Sequence, residues 1–459
     1  MIFEQYESNV QSYARSFPAV FSKAQGAILT DEEGREYIDF LAGAGSLNYG
    51  HNHPEIKHHL VEYLQNDNIC HSLDLHTVAK REFLDTFARL ILQPRGLNYK
   101  FQFTGPTGTN AVEAAMKLAR KVTGRTNIVS FTNGFHGVTL GSLAAAGNSF
   151  YRNSAGVSTN NITFMPYDGY LGEDVDTIEV LQKSLRDSSS GLDLPAAVIV
   201  ETVQGEGGVN VASDFWLQRL AQVCKQYQIL LIVDDIQSGC GRTGRFFSFE
   251  QAGIEPDIIV LSKSLSGYGL PMSLVLFKPE LDAWKPGEHN GTFRGNNPAF
   301  VTATAALNLF WQDEQFSQSL KHKANILEQS LSELANELSQ YLNESRLQQV
   351  ALEPVLSKPV IFRRRGRGLM QALCCPNGDI ADAISEAAFQ QGLIIETCGA
   401  GGNILKLLMP LTIEENVMLK GLAILRQAGL HVLGTEGMAK DIPERDLDTD
   451  STSCDREIA

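Results

Sequence analysis

No uninterrupted apolar run in this 459-residue chain approaches the roughly 18 residues that a membrane-crossing helix needs. Its start, Met1-Ile2-Phe3-Glu4-Gln5-Tyr6-Glu7, lacks the basic-then-apolar order of a signal peptide. Cysteine is sparse: Cys70, Cys224, Cys240, Cys374, Cys375, Cys398 and Cys454 are odd in number, scattered, and form no Cys-x-x-Cys pair. A disulfide framework and a zinc site are therefore not expected, and free thiols in a reducing cytoplasm are. Positive charge is short as well. A formal net charge of −15 would repel nucleic acid as a main partner. Internal repeats are absent. What is left, 43% hydrophobic and 20% charged residues, is the balance of a soluble globular protein, and the length allows two domains with a well-buried core.

The chain is organised around Leu230-Leu231-Ile232-Val233-Asp234-Asp235, a short apolar run that ends in two acids and opens into the polar loop Ile236-Gln237-Ser238-Gly239. A strand buried on both faces reads as a continuous apolar run, and a site at the carboxyl edge of its sheet receives the residues that follow. Ile258-Ile259-Val260-Leu261 repeats the arrangement, with a lysine, Lys263, where the run stops. An acid and a lysine at neighbouring strand ends are costly to bury unless something uses them. Pyridoxal 5'-phosphate (PLP) would use both, the carboxylate holding its pyridinium nitrogen and the lysine forming a Schiff base.

Around this pair the sequence predicts an N-terminal arm and hairpin over residues 1–60, with Gly26–Thr30 and Glu36–Phe40 alternating about the turn Asp31-Glu32-Glu33-Gly34. A large cofactor-binding domain is expected over 61–310 and a smaller α+β domain over 311–434, to which the hairpin also belongs. The stretch 435–459, with eight acids and three bases, is expected to be a disordered tail. A helix over Ala111–Val122 is expected to stop at Gly124 and to start with a capping box made by Asn110 and Glu113. The turn that opens it, through Gly108 and Thr109, would offer N–H groups and a positive dipole end to a phosphate. A plain helix start also accounts for it, since the Gly-Lys-Ser/Thr of a nucleotide P-loop is missing. Phe135 and His136 follow a strand and could stack on a flat ring or simply pack. His51 and His53 resemble a metal pair but have no third ligand nearby, so no metal is expected. Gly239-Cys-Gly241-Arg-Thr-Gly244 matches a dinucleotide fingerprint, yet starts too far beyond its strand and opens no apolar helix.

Taken together and in order, the Gly-Thr turn, Phe-His-Gly, Asp-x-x-Gln-x-Gly-x-Gly-Arg-Thr-Gly, the lysine at 263 and Thr-Phe-x-Gly-Asn at 292–296 resemble the class III (ω-amino acid) aminotransferases, from about residue 15 to Gly434. Stretches around Glu7–Tyr13, Asp39–His51, Phe103–Asn110 and Leu261–Pro271 are similar to the subgroup that exchanges amino groups between L-2,4-diaminobutyrate and 2-oxoglutarate, which supplies ectoine biosynthesis and has relatives in siderophore and polyamine pathways. The resemblance implies the aspartate aminotransferase-like α/β fold, PLP fold type I, with a mostly parallel seven-stranded sheet and a smaller α+β domain.

It further implies that Lys263 forms the Schiff base with PLP and shuttles the proton, and that Asp234 keeps the pyridine nitrogen protonated. Gln237 would bond the phenolic oxygen, Ile236 and Phe135 would sandwich the ring with His136 beside it, and Gly108 and Thr109 would hold the phosphate. Thr292 would reach that phosphate from a neighbouring subunit, so a homodimer or larger homo-oligomer is implied. Glu206 matches a switch glutamate that pairs with an arginine in ornithine and 4-aminobutyrate relatives; here Lys406 stands at that arginine's position, and Arg294 becomes a candidate second anchor. The implied reaction moves the amino group of L-glutamate onto L-aspartate 4-semialdehyde, giving L-2,4-diaminobutyrate and 2-oxoglutarate. Alternatives are an ornithine, 4-aminobutyrate or polyamine transaminase, a semialdehyde aminomutase, and a non-enzymatic PLP-binding regulator.

Overall fold

The structure is a computed structural model that describes residues 2–349 and 361–434, apart from the side chains of 345–349. The acidic stretch read as a tail lies outside the described residues. Seven strands form the central sheet, in the order Lys100–Phe103, Leu274–Phe277, Ile258–Leu261, Leu230–Asp234, Ala197–Val200, Ile128–Phe131 and Ile162–Met165. Leu274–Phe277 is antiparallel to both of its neighbours, and the remaining pairings are parallel. Of the five inner strands four bury every side chain and the fifth all but Leu230, as the nearly continuous Ile/Val/Leu runs require of a sheet covered on both faces. Each such Val, Leu or Ile contributes roughly 1.5–3 kcal/mol on burial. That reserve is what lets the strand ends carry buried charge.

The expected hairpin is present as Ile28–Asp31 paired with Glu36–Asp39, extended outward by Phe21–Gln25. Leu393–Ile394 adds to it in parallel beside Ile38 and Asp39, which ties the N-terminal segment to the C-terminal one. A third sheet is wholly antiparallel, in the order Arg363–Arg367, Met370–Cys374, Ile404–Leu407 and Glu396–Cys398.

Two local expectations are corrected. The helix expected from Ala111 runs over Gly108–Thr123 with Thr107 as its N-cap, so Gly108 and Thr109 occupy its first turn. The capping box does not form. Asn110 Oδ1 accepts from Thr107 Oγ1 at 2.8 Å, and Glu113 reaches across to accept from the Gly141 N–H at 3.1 Å. Gly124 does end the helix, in the left-handed region at φ 69°. His51 is also accounted for without a metal: its Nε2 lies 2.7 Å from Asp39 Oδ2.

The Gly239–Gly244 loop is followed by turns rather than a helix. Its arginine does structural work instead. Arg242 is fully buried, donating from Nη1 to Leu369 O (3.2 Å) and Met409 O (2.6 Å) and from Nη2 to Asn48 Oδ1 (2.5 Å), which fastens the large sheet's loop to three distant segments. Arg242→Ala would leave those acceptors buried and unanswered at about 1–3 kcal/mol each. The expected outcome is a melting temperature lower by several degrees, measured by scanning calorimetry.

Candidate active site

Asp234 ends its strand almost fully buried, and its Oδ2 lies 2.7 Å from His136 Nδ1. The histidine comes from the turn after Ile128–Phe131, two strands away in the sheet. Burial alone would lower the His136 pKa, but the hydrogen bond to Asp234 and its charge raise it above 6.5, with Glu201 adding to the pull. Glu201 is itself held by the N–H groups of Phe135 (2.8 Å) and Gly205 (3.1 Å). Its pKa is pushed up by burial, which the charge of His136 only partly offsets.

Lys263 stands just beyond Ile258–Leu261 with φ 50°, a left-handed value that costs a non-glycine residue on the order of 1 kcal/mol or more. Its neighbours hold it there: Ser262 Oγ donates to Met272 O (2.8 Å) and Ser264 Oγ donates to Gly45 O (2.7 Å). Burial keeps the Lys263 amine below the usual lysine range, against the opposing charge of Glu206. Asp234, Glu206, Glu396 and Lys406 all act on it electrostatically.

Opposite lies a second charged group. Lys406 is completely buried, its Nζ 2.7 Å from Glu206 Oε1 and 3.2 Å from Glu396 Oε1. Burial works against its charge, yet the two carboxylates outweigh burial and raise its pKa. Glu206 is held below the ordinary range, its burial overcome by Lys406 and then Lys263, whereas burial pushes Glu396 up. Gln237 joins this group by donating from Nε2 to Glu206 Oε1 (3.2 Å) and Ala44 O (3.0 Å).

The remaining expected residues fall on the same surface, apart from two. Ile236 lies over Gly108, where a Cβ would stand 2.8 Å from Ile236 Cδ1. Thr109 faces Gly137, where a Cβ would stand 2.5 Å from Thr109 Oγ1. The Phe135 ring packs edge-on against Tyr151 at 5.4 Å. Thr292 is exposed, and Arg294 is turned to Asp74, with which it forms an ion pair, and to His289 O at 3.1 Å. One chain thus brings neither of them into the group. Sequence reasoning missed Glu396 and Tyr13, whose hydroxyl donates to Glu396 Oε2 at 3.2 Å. The signal for Glu396 was present: a lone acid inside Ile394-Ile395-Glu396-Thr397-Cys398.

The profile of the family described as Aminotransferase class-III matches residues 10–428. The chain belongs to that family. It is 55% identical over 442 residues to a diaminobutyrate--2-oxoglutarate transaminase of Bordetella parapertussis, covering 96% of this chain and 97% of the relative. A Halomonas elongata protein of the same name is 56% identical over 425 residues, 92% of this chain and 97% of its own length. Among solved structures, the ornithine aminotransferase of Toxoplasma gondii ME49 superposes with a TM-score of 0.73 at 26% identity, covering 94% of each chain. A further structure of a Toxoplasma gondii ornithine aminotransferase, crystallised with oxidised glutathione, has PLP at partial occupancy in its active site; it matches with a TM-score of 0.74 at 26% identity over 94% of this chain and 93% of that one. The seven-stranded, mostly parallel central sheet is that of a type I PLP-dependent transferase.

The residues present here fit PLP. Gln237 Oε1 is buried with no hydrogen-bond partner, and a Cβ at Gly205 would fall 1.7 Å from it, so the space beside it is kept open by glycine. Gly108 and Thr109 place a helix N-terminus beside Ile236, where a phosphate would find N–H groups and a hydroxyl.

With Asp234→Asn the histidine loses the charge that opposes its desolvation. The His136 pKa is then expected to fall from above 6.5 to below it, read by titrating the histidine NMR signals. Because the folded pKa is raised, the pair's stabilisation is complete below the unfolded histidine value and fades as pH rises through the folded one.

Proposed function

We propose that this chain is a PLP-dependent transaminase that exchanges the amino group of L-glutamate with L-aspartate 4-semialdehyde, giving L-2,4-diaminobutyrate and 2-oxoglutarate. The observation that carries the reading is the buried Lys263 amine, whose pKa burial lowers and on which Glu206, Lys406, Glu396 and Asp234 all act, beside a paired Asp234–His136 and a paired Glu206–Lys406–Glu396. Identity above 50% to diaminobutyrate--2-oxoglutarate transaminases over nearly the whole chain supports the choice of substrate.

When bound, PLP supplies the carbonyl that takes up the amino group and the ring that draws electrons from the reacting carbon. Asp234 would hold its ring nitrogen, Gln237 its phenolic oxygen, Gly108 and Thr109 its phosphate, and Ile236, Phe135 and His136 its ring. In this role Asp234 is paired with His136, whose pKa the aspartate raises. Lys263 would carry the proton between the amino-bearing carbon of the substrate and the cofactor carbon that takes up the amino group, and the lowering of its pKa by burial favours that role. Lys406 offers a single buried positive charge for a substrate carboxylate once Glu206 moves off it, and with lysine this is a point contact rather than an arginine's two-pronged one. Glutamate and 2-oxoglutarate would use it in one half-reaction, and Glu206 would hold it in the other, when diaminobutyrate presents its ω-amine.

We assign Thr292 to the phosphate site of a second copy of the chain, which the exposure of its loop in the single chain supports. The enzyme is then a homodimer or a larger homo-oligomer with shared sites. Thr292→Ala should weaken PLP retention about tenfold, the worth of one hydrogen bond to a charged group, measured by equilibrium dialysis.

The decisive experiment adds L-2,4-diaminobutyrate alone to the PLP-loaded enzyme. The visible absorption band should be lost, and 2-oxoglutarate should restore it. Ornithine and 4-aminobutyrate serve as comparators. Conversion by one of these and not by diaminobutyrate overturns the substrate assignment, while Lys263→Ala should abolish the cycle with every amine.

A further inference from the structure

The Glu206–Lys406 pair leaves one neighbour unexplained. Glu396 stands directly opposite Lys406 in the antiparallel ladder between Glu396–Cys398 and Ile404–Leu407, so both side chains rise from the same face of the small sheet. Its carboxylate is 6% exposed. Lys406 Nζ lies at ion-pair distance from Oε1, 3.2 Å, but outside hydrogen-bond geometry, and Oε1 has no hydrogen-bond partner. Oε2 accepts only the Tyr13 hydroxyl, at 3.2 Å. Tyr13 is 46% exposed and lies on the one-turn helix Tyr13–Ser16, which has no buried residue. An exposed phenol therefore covers one oxygen of a buried carboxylate whose other oxygen has only the Lys406 ammonium beside it, at 3.2 Å. An ammonium group satisfies such a carboxylate better than a phenol does, through shorter, charge-assisted bonds.

Glu206 is the more heavily engaged of the two carboxylates that bracket Lys406, its Oε1 serving both Lys406 and Gln237.

We propose that Glu396 is a specificity-determining residue, its carboxylate receiving the ammonium group that a diamino substrate keeps while the other amino group is transferred. Tyr13 gives way as that group arrives. The site thereby separates L-2,4-diaminobutyrate from 4-aminobutyrate, which is the same carbon chain with the same carboxylate and lacks only that ammonium. The inference rests on the functional reading above and names the residue that enforces it.

The test compares kcat/KM for diaminobutyrate and for 4-aminobutyrate, each with 2-oxoglutarate, in wild-type, Glu396→Gln and Tyr13→Phe holoenzyme. Wild type should favour diaminobutyrate. Glu396→Gln should narrow the preference by about tenfold or more, through a higher KM for diaminobutyrate rather than a lower kcat, the loss expected for one charged hydrogen bond. Tyr13→Phe removes the competing donor at an exposed position and should widen the preference; if Glu396→Gln does not fold, this variant decides. Equal losses on both amines in Glu396→Gln, or a ratio unmoved by the variants, overturns the role of Glu396 and leaves the function standing. A wild-type enzyme inert to diaminobutyrate but active on 4-aminobutyrate overturns the functional reading and the inference with it.

Discussion

The buried carboxylate at the end of the Leu230–Asp234 strand constrains everything around it. A charge in that position has to be answered by an opposite one, and the answer comes from His136, 2.7 Å away and itself fully enclosed. Removing either partner would leave the other as an uncompensated charge in a low-dielectric interior, a defect worth about 3–5 kcal/mol. The sheet tolerates the arrangement because its inner strands are apolar throughout. Glu201 closes the other side by accepting two backbone N–H groups from the turns that flank the site. The positions of these groups are thus fixed by their own hydrogen bonds, which is what preorganised electrostatics require.

A second set of charges is assembled on a different principle. Glu206 comes from the loop after Ala197–Val200, while Glu396 and Lys406 come from neighbouring strands of the small antiparallel sheet. The lysine is enclosed and its two partners are not equivalent: Glu206 is held ionised, and Glu396 resists ionisation because burial outweighs what Lys406 gives back. A group with one fixed cation and two unequal anions can exchange partners at small cost. The transaminase reaction asks for such an exchange, since its two half-reactions bring substrates of different charge to one place. Arg242 and the pairing of Leu393–Ile394 with the N-terminal hairpin tie the C-terminal segments to the large sheet's loop and to the N-terminal arm.

Much of this was legible in the sequence. Strands buried on both faces write themselves as unbroken apolar runs, and the residue that breaks such a run is placed at the sheet's edge; Asp234, Gln237 and Lys263 were readable for that reason. Gly124 declared the helix end because a left-handed backbone favours glycine. The helix start was read three residues late: Thr107 is a favoured N-cap type but makes no side-chain cap bond, and it is the contact of Gly108 with Ile236 that makes glycine necessary there. The capping box failed because Glu113 found stronger company across the turn, at Gly141. What only the tertiary structure decided is which distant charges meet: Tyr13 with Glu396, Glu206 with Lys406, His136 with Asp234. Those pairs are separated by 383, 200 and 98 residues, and no local periodicity encodes a contact between segments so far apart in the chain.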